Sequence, residues 1–248
     1  MDEASYDRYL QETGDWLKTA RSKLLGQLVE RHRGATRGLE LLEVGAGAGQ
    51  NLDTLARFGR VDAIEINPLG REAIAARQVA RDVFAEPVPF ELDRRYDVVC
   101  ALDVIEHLAD AEKAVRWMAG LLRPGGILVL TVPAYQWLYS DHDRALGHHR
   151  RYTRSSLLAT LPAGLEVRAA AYFTHLVFPL AVAARLAWSL RRIGSREPPA
   201  KQPSPRDGWA ARMLARVQDV ELAMIARGYR PAFGLSAFVV AELPRVAP

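Results

Sequence analysis

Three glycines at alternate positions, Gly45, Gly47 and Gly49, close the apolar run in LLEVGAGAGQNL over residues 41–52. Glycine there lets a ligand approach the backbone with no Cβ in the way, and the amides that follow open a helix, whose N-terminus favours anionic groups. A ribose, a carboxylate or a pyrophosphate would suit that turn. The dinucleotide fingerprint is not met, because G-x-G-x-x-G counted from Gly45 needs glycine where Gln50 stands. A tight turn without ligand is the plain alternative. Twenty residues after Gly45, Glu65 lies near the end of a second apolar run, Val61 to Ile66. An acid at the end of a second parallel strand can accept both hydrogen bonds of a ribose diol; a helix cap or a surface carboxylate is the competing role.

A second constellation is PAYQWLYSDHDRALGHHRRYTRSSL, residues 133–157. Its His142, His148 and His149, with His107 upstream, are candidate bases, since histidine needs only a small shift to transfer protons near neutrality. Tyr135, Tyr139, Arg150, Arg151 and Tyr152 are candidate substrate-binding groups. Arg150, Arg151 and Arg154 concentrate positive charge that could grip a carboxylate, a phosphate or a lipid headgroup, or could pair with Asp141 or Asp143. Adjacency of His142 and Asp143 does not make a dyad, and the spacing specifies no metal ligand set, so no metal is assigned. Glu106-His107 follows Asp103 at a helix start, as a pocket group or a cap.

These groups need a frame. Leu39 to Val44 reads as a buried strand, Gln50 to Phe58 as a helix, LGREAIAARQ as a helix and VARDVFA as a brief strand. Tyr96 to Leu102 is a strand, Ala111 to Leu122 a helix, Ile127 to Val132 a strand after the RPGG turn, and GLEVRAAAYF a sixth strand. Such alternation implies a mostly parallel sheet covered on both faces, with ligands beyond the carboxyl ends of its strands. Upstream, Trp16, Leu17, Leu24, Leu25 and Leu28 form one apolar face of a helical segment over residues 1–34, a lid or a core element. Residues 35–173 are the core and its acceptor loop.

Between the last two strands lies an insertion over residues 174–230. THLVFPLAVAARLAWSLRRIG reads as an apolar helix interrupted near Pro179; Arg185 divides it, which disfavours a membrane span. Its apolar face with Arg191, Arg192 and Arg196 would suit a substrate lid, a homodimer surface or peripheral membrane contact, against the plain reading of a buried helix. GSREPPAKQPSPRDG follows as a linker, then a helix over Trp209 to Ala226 and a final strand in residues 231–248.

With 248 residues, 49% hydrophobic, the chain can bury one α/β core. Residues 1–10 are polar and acidic, so no signal sequence is expected and a cytoplasmic location is the default. The single Cys100 lies in the strand pattern YDVVCAL, which leaves neither a disulfide framework nor a thiolate metal site. A net charge of +4 without a long basic tract argues against a nucleic-acid partner.

In order, EVGAGAGQNL, AIEIN, ARDVFA, YDVVCALDVIEHL and LLRPGGILVLTVP resemble the class I S-adenosylmethionine-dependent methyltransferases, over residues 35–135. The resemblance implies a Rossmann-like seven-stranded sheet whose last strand, SAFVVAEL, runs antiparallel. It implies that Glu43, Gly45, Gly47 and Gly49 surround the methionine part of S-adenosyl-L-methionine. Glu65 would bind the ribose, with Ile66 beside the adenine; Asp82 and Val83 would meet the adenine ring, and Leu102 and Asp103 would line the sulfonium end. The expected activity is O-methylation of an amphipathic or anionic small molecule, with N- or C-methylation, a nucleotide-dependent oxidoreductase and a non-catalytic cofactor-binding protein as alternatives.

Overall fold

A computed structural model describes residues 16–191 and 208–245, with the backbone alone over residues 186–191. The linker over residues 194–207 and the basic pair Arg192 and Arg196 lie outside the described residues. The order is α1 (Trp16–Arg33), β1 (Leu39–Val44), α2 (Leu52–Ala56), β2 (Gly59–Ile64), α3 (Pro68–Arg77), β3 (Val83–Phe84) and β4 (Tyr96–Leu102). There follow α4 (Ala111–Gly120), β5 (Leu122–Pro133), α5 (Asp141–Leu146), α6 (Arg154–Leu158), β6 (Glu166–Phe173), α7 (Phe178–Arg191), α8 (Gly208–Ala226) and β7 (Ser236–Glu242).

The seven strands form one sheet in the order β3-β2-β1-β4-β5-β7-β6. Strands β1 to β5 pair in parallel, and β7 runs antiparallel between β5 and β6. Every residue of β1 is buried, as a central strand covered on both faces requires. Alternate side chains enter opposite layers. Leu41, Val61 and Val98 join Leu24, Leu25 and Leu28 of α1, Ile74 of α3 and Leu222 and Ile225 of α8. Leu42, Val99 and Leu128 join Val115 and Met118 of α4.

Helix α1 is therefore a core element, and α8 of the insertion packs beside it, with Lys23 and Asp219 paired at 2.5 Å. Pro179 does not interrupt α7; it lies in the first turn, where its missing N–H breaks no helical bond. Residues Ile105–His107 form a single 3₁₀ turn rather than a helix start, and α4 begins after Asp110, whose side chain accepts the Lys113 amide at 2.9 Å. Among the described residues no helix is long and apolar enough to cross a membrane.

Gly59 opens β2 where it crosses Leu39, and a Cβ there would collide with the Leu39 carbonyl oxygen, a backbone atom that cannot swing away. Gly59→Ala is expected to cost about 3 kcal/mol or more. Gly120→Ala, with nothing within 4 Å of the new methyl, should instead gain up to about 1 kcal/mol. Urea unfolding of both variants checks the contrast.

Candidate active site

The strand order reverses at β1, which has β2 on one side and β4 on the other, so the ligand crevice of such a sheet opens beyond their carboxyl ends. The glycine loop leaves β1 there. Gly45, Gly47 and Gly49 have φ of 70°, 57° and 73°, a left-handed conformation in which a side chain is strained. A Cβ on Gly45 would also lie 2.6 Å from Val104 Cγ2. The Gly45 and Ala46 amides donate to the Ile64 carbonyl at 2.8 and 3.0 Å, tying the loop to β2.

Glu65 fastens the other side of the loop. Its buried carboxylate accepts the Gly47 amide at 2.7 Å and the Asn67 amide at 2.8 Å. Glu43, near the end of β1, accepts from the Asn51 side chain at 2.6 Å through Oε1, whereas its Oε2 is buried with no partner among the described residues. Burial pushes the Glu43 carboxyl up to about 8, the Asn51 hydrogen bond opposing and the Glu65 charge reinforcing the shift.

At the end of β4, Asp103 has φ of 55°, accepts the Thr131 hydroxyl at 3.0 Å and pairs with Arg21 of α1 at 2.7 Å. The N-terminal helix thus packs in the core and also reaches the crevice. Leu102 is half-buried below Asp103, and Ile66 is exposed beside the Glu65 turn. Asp82 is not brought to this group. Asp82 immediately precedes the two-residue β3, level with Asp62 of β2 and three residues short of Glu65, and there it meets Arg94 at 2.6 Å in a network with Asp62 and Arg81. Val83 packs into the layer beneath α1.

The loop after β5 is built around Asp143. Its fully buried carboxylate accepts the Ser140 amide at 2.8 Å, His148 Nδ1 at 2.9 Å, and Arg151 Nε and Nη2 at 2.7 and 3.0 Å. These donors hold the Asp143 carboxyl well below the usual range despite its burial. Arg151 is consequently an internal partner and no free anion-binding group. Tyr152 is buried too, its amide donating to the Pro133 carbonyl at 3.0 Å, so it braces β5 rather than lining an open wall. Arg150 donates to the Ala109 carbonyl at 2.9 Å, and Tyr139 to the His148 carbonyl at 2.7 Å. Tyr135, with φ of 62°, stacks on Tyr172 at 5.2 Å between ring centroids and meets Phe178 of α7 at 5.7 Å.

Of the four histidines, the structure joins two. His107 and His148 meet edge to face at 4.6 Å between centroids, and the ring of His107 bonds the Gly147 carbonyl. Burial and the neighbouring His148 bring His107 down to about 4, so it is neutral near pH 7 and able to accept a proton. His142 and His149 are exposed, the latter tied through its amide to the Glu106 carbonyl at 2.8 Å. Arg21, Asn51 and Asp143 were not singled out as site residues by sequence reasoning. Asp143 carried a signal, since Ser140-x-x-Asp143 is a helix-capping spacing. The Arg21 and Asp103 pairing had none.

The model of a methyltransferase domain family matches residues 8–191. A ubiquinone biosynthesis O-methyltransferase of Rhodopseudomonas palustris (strain HaA2) is 32% identical over 108 residues, 40% of this chain and 42% of that protein. One from Caulobacter vibrioides is 38% identical over 99 residues, 37% of this chain and 39% of its own length. The similarity thus spans about two fifths of these curated relatives. The N-methyltransferase NodS of Bradyrhizobium japonicum WM9, solved with S-adenosyl-L-homocysteine, superposes with a TM-score of 0.57 over 98% of each chain at 16% identity. The plantazolicin methyltransferase BpumL, also solved with that ligand, gives 0.61 over 98% of this chain and 90% of its own at 10% identity. Both share the fold.

Glu43 dictates a pH dependence in the ligand-free protein. Its folded pKa of about 8 exceeds the ordinary 4.5, so no penalty exists below pH 4.5, where both states are protonated. As pH rises the unfolded chain ionises first, and stability falls until the penalty is complete above pH 8. Glu43→Gln should remove this slope, becoming more stable than the parent at pH 8 by on the order of a few kcal/mol. Urea midpoints at pH 5, 6.5 and 8 check it.

Proposed function

This chain belongs to the methyltransferase domain family, among the class I S-adenosylmethionine-dependent enzymes, and from that premise we propose that it methylates an oxygen of an amphipathic or anionic small molecule. The observation that supports the cofactor side is the buried Glu43 Oε2 without a partner among the described residues, set beside a glycine loop whose three left-handed residues leave its backbone bare of side chains. The free Glu43 oxygen would take the amino-acid ammonium of the cofactor. The loop would admit its backbone, and Glu65, already oriented by two amides, would accept the ribose hydroxyls with its remaining lone pairs.

When bound, S-adenosylmethionine supplies a methyl group on a sulfonium, whose leaving group is a neutral thioether. The protein's share is alignment, exclusion of water and removal of the acceptor's proton. Asp103, fixed by Thr131 and Arg21, would define the inner wall. His107, neutral at physiological pH, is the leading candidate for the proton. Tyr135, Trp137 and Phe178 form an aromatic group beside this edge of the sheet, with Trp137 61% exposed, suited to an acceptor with an apolar part. Oxygen as the receiving atom is supported by the named activity of the curated relatives, over the stretch they share.

Calorimetry should show S-adenosylmethionine and S-adenosylhomocysteine binding one per chain and NAD not binding; the reverse would favour an oxidoreductase. Glu65→Gln should weaken cofactor binding about tenfold to a hundredfold, as loss of a charge-assisted hydrogen bond implies. Incubation with methyl-labelled cofactor and a metabolite extract, read by mass spectrometry, should yield a labelled small molecule whose methyl is on oxygen. Cofactor binding with no labelled product from any extract would instead mark a non-catalytic binding protein.

A further inference from the structure

We propose that Glu106, His107 and His148 form a binding site for a divalent transition-metal ion of the zinc and cobalt type. The donor atoms of the three side chains lie within 4.8 Å of one another. The spacing of these residues does not announce a site: two are adjacent on a 3₁₀ turn after β4, and the third arrives from the loop after α5.

The state of each donor carries the inference. Glu106 is fully buried, and neither carboxylate oxygen has a hydrogen-bond partner among the described residues. A buried carboxylate without partners is costly unless a cation meets it. The nearby guanidinium groups are committed elsewhere, Arg21 to Asp103 at 2.7 Å and Arg151 to Asp143 at 2.7 Å. Both histidines are prepared as ligands. His148 is bonded through Nδ1 to Asp143 at 2.9 Å, which leaves Nε2 as the outward nitrogen. His107 is held through one ring nitrogen by the Gly147 carbonyl. A carboxylate or carbonyl on the second ring nitrogen is the support that orients metal-binding imidazoles.

The donor set decides the ion. Two imidazoles and one carboxylate suit zinc, cobalt or iron(II), whereas magnesium and calcium prefer oxygen throughout. With bonds of about 2.1 Å, tetrahedral donors stand about 3.4 Å apart, so closure from the present spacing requires at most about 1.4 Å of side-chain movement. Three protein donors leave a position open. Glu106 follows Asp103 by three residues, which puts the ion beside the carboxyl end of β4, where it could orient an acceptor oxygen and ease loss of its proton, replacing the proton-accepting role of His107, whose free ring nitrogen the ion would occupy. That use of the ion rests on the methyl-transfer reading; the ion site itself does not.

Chelator-stripped full-length protein should be titrated with Co²⁺ alone, following visible absorbance, and with Zn²⁺ alone by calorimetry. One ion per chain is expected. Glu106→Gln, His107→Ala and His148→Ala should each weaken binding at least about tenfold, while His142→Ala and His149→Ala leave it unchanged. Anomalous diffraction from cobalt-soaked crystals of the unmodified chain should place the ion among the three side chains, which needs no variant to fold. Absence of stoichiometric binding by the unmodified chain, or an ion located elsewhere, would overturn the proposal. S-adenosylmethionine calorimetry on the same stripped sample keeps the two readings apart: cofactor binding without metal binding sinks only the ion site.

Discussion

Because β1 is paired along both edges and covered on both faces, the chain can turn away only at the strand's ends, and its backbone groups there must find partners at once. At the carboxyl end, left-handed glycines let the loop fold back so that two successive amides reach the Ile64 carbonyl. Glu65 then catches Gly47 and Asn67. The same constraint acts along this edge of the sheet. Asp103 beyond β4, Tyr135 beyond β5 and Thr174 beyond β6 all have positive φ without being glycine. Such conformations cost of order 1–3 kcal/mol each and persist only where surrounding structure imposes them.

Buried acids divide by the number of partners each has. Asp62 within β2 is met by Arg81, Arg94 and Tyr96, and Asp143 by Ser140, His148 and Arg151; both are internal braces. Glu65 is fully oriented yet keeps lone pairs. Glu43 has one oxygen satisfied and one empty-handed, and Glu106 has neither satisfied. Since an isolated buried carboxylate is expensive, the last two mark where this fold expects something from outside the chain. Both lie beside carboxyl ends of neighbouring strands, β1 and β4.

The insertion between β6 and β7 serves the same edge. Helix α8 belongs to the core with α1, and α7 contacts the acceptor loop through Arg185 to the Leu138 carbonyl at 2.7 Å and through Phe178 to Tyr135 and Trp137. The cofactor side and the acceptor side are therefore separate in sequence but share one rim.

The succession of strands and helices, the glycine turn and the place of Glu65 after the second strand were legible in the sequence, because apolar periodicity and glycine placement are local consequences of burial and backbone sterics; the antiparallel last strand came from the family resemblance. Local pattern could not orient Asp82, whose carboxylate turns to Arg94 and Arg81 beside Asp62. Nor could it sort the histidines or arginines of residues 133–157: whether Arg151 meets a substrate or Asp143 depends on how a loop closes around a buried charge. The meeting of Glu106 and His107 with His148 was decided by tertiary structure alone, because His148 stands 41 positions after His107, with α4, β5 and α5 between them, and only packing of the α5 loop against the β4 turn brings them together.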